Sequence, residues 1–193
     1  MSRSSRKVRE TKETLVEVSL DIDNCCSVEV LTPIPFLNHL LTTMFFYMRS
    51  NVYVKAVDKL GYDDHHLVED VAITLGDVLR DSLGDRVGIK RFAYSIVPMD
   101  DALTIVAVDI SGRGNAYVRL NIERESIGGL AIENVYHFLE SLARKSEITL
   151  HVIQLNGSNS HHILESVFKG LGMVLHEATR IVSNSVVSVK GSL

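Results

Sequence analysis

The chain is poor in cysteine, and this limits the kinds of metal site that it can build. Its 193 residues include two cysteines, Cys25 and Cys26, which are neighbours. No second cysteine pair is present to complete a zinc knuckle, and a bond between neighbours closes a strained ring. We therefore predict reduced, structural thiols, and any metal site must use nitrogen and oxygen ligands.

The sequence also lacks a long apolar run and an excess of charge of one sign. No stretch of about 18 apolar residues is present to span a bilayer, and the first ten residues are charged without an apolar export segment. With 20 Lys and Arg against 24 Asp and Glu, the bulk charge favours neither nucleic acid nor an anionic membrane. We predict a cytoplasmic protein with no nucleic-acid or membrane partner.

What the chain does contain, twice, is the pattern His-His-x-x-Glu. The two copies consist of His65, His66 and Glu69, and of His161, His162 and Glu165. On a helix, residues three and four apart share a face, so each Glu can lie beside either imidazole of its own copy. Adjacent imidazoles point about 100° apart around the helix. We therefore predict that each His-His pair serves two different metal ions.

A single copy of this pattern could be the polar start of a partly exposed helix, but each copy is followed by an apolar run with helical period. These runs span residues 71–83 and 167–175. The repetition indicates a tandem duplication, and a half of about 80 to 90 residues is near the lower limit for an independent core. We expect one fused domain, residues 1–193, with half-repeats 1–88 and 89–193.

The remaining pattern predicts an α+β fold. Alternation of apolar and polar residues predicts strands at 15–23, 27–31, 52–57, 91–97, 103–110, 117–122 and 148–155. Helices are predicted at 36–50 and 132–145, besides the two His-His-x-x-Glu helices. Residues 3–9 read as a basic arm. Each half is thus strands, a helix, one strand, a turn and a His-His-x-x-Glu helix, with antiparallel strands in two sheets.

Two further histidines, His39 and His151, precede the two copies. A single His among apolar residues is more often a satisfied core residue than a ligand. The duplication changes this judgement, because six histidines and two glutamates make two ligand sets suited to a first-row transition metal. An octahedral ion such as Mn²⁺ is favoured over four-coordinate structural zinc. His137 and His176 are predicted to be surface residues.

At this point the residues resemble the imidazoleglycerol-phosphate dehydratases of histidine biosynthesis, over nearly the whole chain. The matching residues, in order, are Thr11-Lys12-Glu13-Thr14, Asn38-His39, Asp63-Asp64-His65-His66 with Val68-Glu69-Asp70, Gly88-Ile89, Arg91-Phe92, Pro98-Met99-Asp100, Asp109 with Ser111-Gly112-Arg113, Leu150-His151, Gly157 with Asn159, His161-His162, Glu165, Phe168-Lys169 and Ser188-Val189-Lys190-Gly191. The resemblance implies duplicated half-domains of the ribosomal protein S5 domain 2-like type, each a mainly antiparallel sheet with helices on one face. It also implies a homo-oligomer of 24 subunits assembled from trimers.

The resemblance further implies two Mn²⁺ ions in each active site, at subunit contacts. One ion would take His65, Glu69, His151 and His162, and the other His39, His66, His161 and Glu165. The implied reaction removes water from imidazole glycerol phosphate to give imidazole acetol phosphate, through a metal-stabilised imidazolate and a diazafulvene-like intermediate. The substrate's phosphate would contact Arg91, Arg113, Lys169, Ser188 and Lys190.

Carboxylates must move the protons of this reaction. The candidates are Glu13 at the glycerol end of the substrate, Glu165 and Glu69, and the division of acid and base roles among them stays open. On position alone, Glu13 reads as a solvated strand end. The chain departs from the family pattern at Asn38, where Asp is usual, at Leu67, where Thr is usual, and at Asp101, where Glu is usual.

Two other functional classes remain open at this stage. A metal-dependent hydrolase of a phosphorylated metabolite would use similar ligands with a metal-bound water as nucleophile, and it would release phosphate or an acyl group. Dehydration instead yields an enol-ketone that is visible in ultraviolet absorbance. A non-catalytic shell assembled by metal would need the histidines but not Glu13, Arg113 or Lys190.

Overall fold

The computed structural model describes residues 2–191, so residues 1, 192 and 193 of the predicted domain lie outside the described residues. The first half of the chain forms strands β1 (Ser4–Glu10), β2 (Thr14–Asp21) and β3 (Val28–Leu31), helix α1 (Pro35–Met48), strand β4 (Asn51–Asp58) and helix α2 (His65–Leu83). The second half forms β5 (Phe92–Met99), β6 (Ala102–Asp109), β7 (Asn115–Arg119), the short pair β8 (Ser126–Ile127) and β9 (Leu130–Ala131), α3 (Ile132–Ser146), β10 (Thr149–Asn156) and α4 (Ser160–Thr179).

The two halves have the same sheet topology. The first sheet has the strand order β1-β2-β4-β3 and the second has β5-β6-β10-β7. In both sheets the first two pairings are antiparallel and the last, β4 with β3 or β10 with β7, is parallel. The predicted α+β class with duplicated, mainly antiparallel half-domains is confirmed.

Helices cover one face of each sheet and then meet across the two halves. Helix α2 lies on β1 and β2, while α4 lies on β5 and β6. Helix α1 of the first half packs against α4 of the second, and α3 of the second half packs against α2 of the first. The apolar residues at these contacts form one continuous buried cluster that spans both halves. This exchange of partners decides which side chains meet in the candidate site.

Two glycines at equivalent positions allow the helix pairs to approach closely. Gly76 of α2 and Gly172 of α4 each follow the first histidine of their copy by eleven residues. A Cβ atom added to Gly172 would lie 2.1 Å from the carbonyl oxygen of Met44 on α1, and one added to Gly76 would lie 2.9 Å from that of Leu142 on α3. Backbone approaches this close require glycine.

Strand β1 replaces the predicted basic arm. Its residues alternate between exposed and half-buried positions, and it pairs in antiparallel register with β2. The half-buried cations find carboxylates on α2, because Lys7 Nζ lies 2.8 Å from Asp81 and Arg9 Nε lies 2.6 Å from Asp70. The prediction of an arm was wrong. Strands are usually recognised by apolar residues at every second position, whereas in β1 charged residues occupy those positions.

Cys25 and Cys26 lie in the exposed segment between β2 and β3, and their reduced state stays a prediction. In the part of the chain that the structure describes, no helix combines the length and the apolar character needed to cross a membrane.

Candidate metal and active site

Both His-His pairs lie in the first turn of a helix. The main-chain N–H of His65 donates to Asp63 at 2.9 Å, and the side chain of Asn159 accepts from the N–H groups of His161 and His162 at 3.0 and 3.4 Å. These contacts satisfy N–H groups that have no partner within the helix. The adjacent rings are nearly perpendicular, at 87° in the first pair and 84° in the second. Neighbouring imidazoles therefore face different directions, as the helix geometry predicts.

The first cluster of ligand-type side chains forms where α1 meets α4. His39 Nε2 lies 3.3 Å and His161 Nε2 lies 3.2 Å from the same carboxylate oxygen of Glu165. Both imidazoles are partly exposed, whereas the side chain of Glu165 is 13% exposed. Donor atoms of all three residues lie within 4.8 Å of one another, so they can hold one metal ion.

Glu165 is held as a carboxylate in this cluster. Burial alone would raise its pKa, but hydrogen bonds from Lys169 and His39 outweigh the burial and lower the pKa below its usual value. Lys169 Nζ lies 2.9 Å from the second carboxylate oxygen of Glu165 and 3.0 Å from the sulfur of Met99. Glu165 therefore offers an anionic ligand and a proton acceptor at neutral pH.

A second cluster forms where α2 meets α3, and one of its members was missed. His65, Glu69 and His137 also offer donor atoms within 4.8 Å of one another. His137 stacks on His65 with ring centroids 4.7 Å apart, and its Nε2 lies 3.7 Å from Glu69. The prediction of a surface His137 missed this contact, because the side chain is 34% exposed while its ring faces His65 and Glu69. The duplication could have identified His137, because it precedes β10 by twelve residues and His39 precedes β4 by the same number.

The other predicted ligands have separate partners within the chain. His66 Nδ1 lies 3.2 Å from Glu13, and His162 Nδ1 lies 2.7 Å from Asp101. His151 is exposed on the outer face of the second sheet, where its ring stacks on Tyr117 at 4.7 Å. A single chain thus brings together His39, His161 and Glu165 of one implied ligand set, and His65 and Glu69 of the other.

The residues at which the chain departs from the family pattern have clear structural roles. The amide of Asn38 accepts from the N–H of Thr32 at 3.0 Å and donates to its carbonyl at 2.9 Å, so it fixes the turn before α1 rather than the ring of His39. Leu67 is buried in the core. Asp101 accepts from the backbone N–H groups of Ser158 and Asn159 and from His162, and these bonds hold its pKa far below the usual value.

Two of the five predicted phosphate contacts, Arg91 and Arg113, lie beside Asp109. Arg91 donates to both carboxylate oxygens of Asp109, at 2.7 and 3.3 Å, and to the carbonyl of Val187 at 2.6 Å. Arg113 lies 4.0 Å from the same carboxylate. Ser188 and Lys190 follow Val187 along the chain. The fifth, Lys169, contacts Glu165 instead. His176, also predicted as a surface residue, is half-buried, and its Nδ1 lies 3.0 Å from the Met48 carbonyl.

Comparison with known proteins gives one consistent result. Residues 32–175 match the family model described as imidazoleglycerol-phosphate dehydratase. The chain is 60% identical over 191 residues to the imidazoleglycerol-phosphate dehydratase of Saccharolobus solfataricus, covering 99% of both proteins. It is 58% identical over 193 residues to that of Sulfolobus acidocaldarius, covering 100% of both.

Solved structures of the same description have the same fold. The Pyrococcus furiosus IGPD, solved in complex with (S)-C348, is 42% identical with a TM-score of 0.85, and the match covers 97% of this chain and 100% of that one. The Staphylococcus aureus imidazoleglycerol-phosphate dehydratase is 28% identical with a TM-score of 0.82, covering 93% and 99%. The chain therefore belongs to the imidazoleglycerol-phosphate dehydratase family of hydro-lyases.

Proposed function

We propose that the chain dehydrates imidazole glycerol phosphate to imidazole acetol phosphate in histidine biosynthesis, with two Mn²⁺ ions in each active site. Besides the family relationship, the observation that carries the proposal is the convergence of His39 and His161 on the ionised carboxylate of Glu165. The substrate class and the metal dependence are those expected of the family.

The residues present fit a transition metal. Their donors are imidazole nitrogens and carboxylate oxygens, a combination that suits manganese, iron or zinc. Three donors from one chain leave positions for a further histidine and for substrate, which favours an octahedral ion over a closed four-ligand site. When bound, the metal supplies Lewis-acid stabilisation of negative charge on the imidazole ring of the substrate.

We propose that a second copy of the chain completes each ligand set, within a homo-oligomer of 24 subunits built from trimers. His66, His151 and His162 do not join their implied partners within one chain. His151 also lies on a sheet face rich in exposed apolar side chains, namely Phe92, Tyr94, Ile96 and Tyr117. An apolar face of this kind is typical of a surface that is covered in an oligomer.

The proton transfers are assigned to carboxylates of the chain. Glu165 is ionised at neutral pH and can therefore accept a proton from a substrate atom held beside it. Glu13 is 41% exposed and lies next to His66, so it can reach a substrate hydroxyl beside that imidazole. Glu69 is the third candidate, and its contact with His137 favours a role in holding metal.

We assign the phosphate of the substrate to Arg91 and Arg113, which lie beside Asp109, and to Ser188 and Lys190. Arg113 is 72% exposed and can turn its guanidinium towards an anion. Arg91 donates two hydrogen bonds to Asp109 and a third to the Val187 carbonyl, so it fixes the segment that carries Ser188 and Lys190. Lys169 would reach phosphate only by leaving Glu165.

The deciding experiment is incubation of the chelated, Mn²⁺-reloaded and untreated protein with imidazole glycerol phosphate. We expect an ultraviolet-absorbing enol-ketone in the untreated and reloaded samples and none after chelation. Release of inorganic phosphate would instead support a hydrolase. Glu13→Gln is the second sample. We expect this variant to assemble and to bind metal but to lose turnover. Turnover equal to that of the unmodified protein would show that Glu13 has no part in the mechanism.

A further inference from the structure

Helix α3 presents two side chains to the first His-His-x-x-Glu copy. Asn134 and His137 are three residues apart, so they share the face of α3 that packs against α2. Asn134 is 3% exposed, and its Oδ1 lies 2.9 Å from Nδ1 of His65. This contact joins a residue of the second half to a predicted metal ligand of the first half.

The Asn134 contact favours one of the two neutral tautomers of His65. An amide oxygen can only accept, so the hydrogen bond places the proton on Nδ1 and leaves the lone pair of Nε2 for a metal. Partners that fix the tautomer of a metal-binding histidine in this way commonly tune metal affinity. Asn134 is buried on the first turn of α3, so its side chain has little freedom to move away.

His137 restricts the same ring from another direction. Its imidazole stacks on that of His65 with a centroid distance of 4.7 Å and an interplanar angle of 27°. Its Nε2 faces Glu69 at 3.7 Å. The hydrogen bond limits rotation of the His65 ring within its plane, and the stack limits tilting out of that plane.

A histidine of the second copy, His162, has a charged acceptor on Nδ1. His162 Nδ1 is held at 2.7 Å by the carboxylate of Asp101, whereas His65 Nδ1 is held by a neutral amide. Glu69 already places a negative charge beside His65 and His137. The two histidines thus have different acceptors on Nδ1, an amide oxygen and a carboxylate, and either acceptor can hold the proton there.

We propose that Asn134 is a positioning residue that holds His65 in its Nδ1-protonated tautomer for metal binding through Nε2, with His137 fixing the ring by stacking. The inference rests on the proposed metal site. Asn134 touches neither metal nor substrate in this assignment and acts only through His65.

The tautomer is tested directly by solid-state ¹⁵N NMR of the metal-free, histidine-labelled full chain, with His65→Gln used to identify the His65 signals. We expect a protonated Nδ1 and an unprotonated Nε2 in the unmodified protein when the ring is neutral. Asn134→Leu should convert His65 to a mixture of tautomers. A protonated Nε2 at His65 in the unmodified protein would overturn the proposal, whatever the variant does.

Metal affinity is tested by Mn²⁺ titration, with free Mn²⁺ measured by electron paramagnetic resonance. Asn134→Leu should weaken one class of Mn²⁺ sites about 10- to 100-fold. Asn134→Asp, which keeps an acceptor at the same place, should restore most of the affinity, and Glu133→Gln, an exposed neighbour on α3, should change nothing. Thermal unfolding of each variant separates this effect from loss of fold.

The outcomes distinguish the two proposals. If the unmodified protein binds Mn²⁺ and Asn134→Leu binds it equally well, the positioning role is wrong and the metal site stands. If the unmodified protein binds no Mn²⁺, the metal site itself fails and the positioning role with it. Loss of affinity in Asn134→Leu without recovery in Asn134→Asp would also contradict the proposed role, because packing rather than the acceptor would then be responsible.

Discussion

At the scale of single residues, the sequence identified the candidate metal ligands but not every side chain that holds those ligands in place. The repeated His-His-x-x-Glu pattern picks out histidines and glutamates because equal spacing on a helix has a direct geometric meaning. Asn134 reaches His65 across the contact between α3 and α2, which no local pattern encodes, whereas Lys169 contacts Glu165 at the i,i+4 spacing of one helix. The role of Asn134 could not be predicted, because the partner of a buried amide depends on which helix faces pack together.

Lys169 offers a prediction at this scale. Since its hydrogen bond helps to lower the pKa of Glu165, Lys169→Met should raise that pKa and leave His39 alone to oppose the effect of burial. Protons will then compete with metal at higher pH. We expect Mn²⁺ binding by the variant to fail at a higher pH than in the unmodified protein, as measured by titration from pH 8 down to about pH 5.

The control for this prediction is Arg180→Met, which removes a surface cation that pairs with Glu177. Its pH profile should match that of the unmodified protein. If the Lys169→Met profile also matches, Lys169 does not control the ionisation of Glu165.

Acid stability follows from Asp21. Burial would raise the pKa of this carboxyl, but hydrogen bonds from Asn24, Ser2 and the backbone of Asp23 and Asn24 lower it to about 2. Its pKa in the unfolded chain is about 3.9, so its stabilising contribution is complete above that pH and is lost as pH falls towards 2.

Asp21→Asn should therefore be less stable than the unmodified protein near neutral pH, and the difference should shrink between about pH 4 and about pH 2. Urea unfolding at a series of pH values measures it. A difference that stays constant over this range would show that Asp21 acts through something other than its charge.

At the scale of elements, alternation and helical period predicted most of the strands and all four helices. They failed at β1, whose alternating residues are cations, and at the pair β8 and β9, whose strands are two residues long. The pattern of apolar residues indicates which side chains are buried. It therefore misses a strand whose inward side chains form ion pairs, and a strand that is too short to show alternation.

The paired glycines give a prediction for elements. Replacing a glycine inside a helix by alanine usually stabilises the helix. At Gly172 or Gly76, however, the added Cβ would meet a backbone carbonyl of the facing helix. We expect Gly172→Ala and Gly76→Ala each to destabilise the fold by about 1–3 kcal/mol in chemical denaturation.

Thr42→Ala, at an exposed position of α1, serves as the comparison and should change stability by less than about 0.5 kcal/mol. Gly172→Ala should additionally weaken metal binding, because α1 and α4 carry the cluster around Glu165. Unchanged stability in both glycine variants would mean that the helix pairs can separate without cost.

At the scale of the whole molecule, the sequence predicted a duplication but not how the halves join. The matching sheet orders confirm the repeat. The pairing of α1 with α4 and of α2 with α3 could not be read from spacing, because either half could also have paired its own helices. The boundary between half-repeats at residue 88 stays a prediction.

The apolar outer face of the second sheet predicts how assembly can be broken. Tyr94 is 81% exposed on that face, so Tyr94→Glu should place a charge where the proposed neighbouring subunit packs. We expect smaller particles in analytical ultracentrifugation and loss of dehydration, since His151 would lose its partners.

Val8→Glu, on the outer face of β1 beside the exposed Arg6 and Glu10, is the matched substitution. It should leave particle size unchanged. A Tyr94→Glu protein of normal size would place the subunit contact elsewhere.

The exchange of helices between the halves has a consequence for ancestry. A chain half as long could have formed both contacts at once by pairing with its own copy about a two-fold axis, giving two identical pockets. Gene fusion would then have freed the pockets to diverge, so that His39 in one and His137 in the other descend from a single ancestral imidazole. Neither half, expressed alone, inherits a complete pocket.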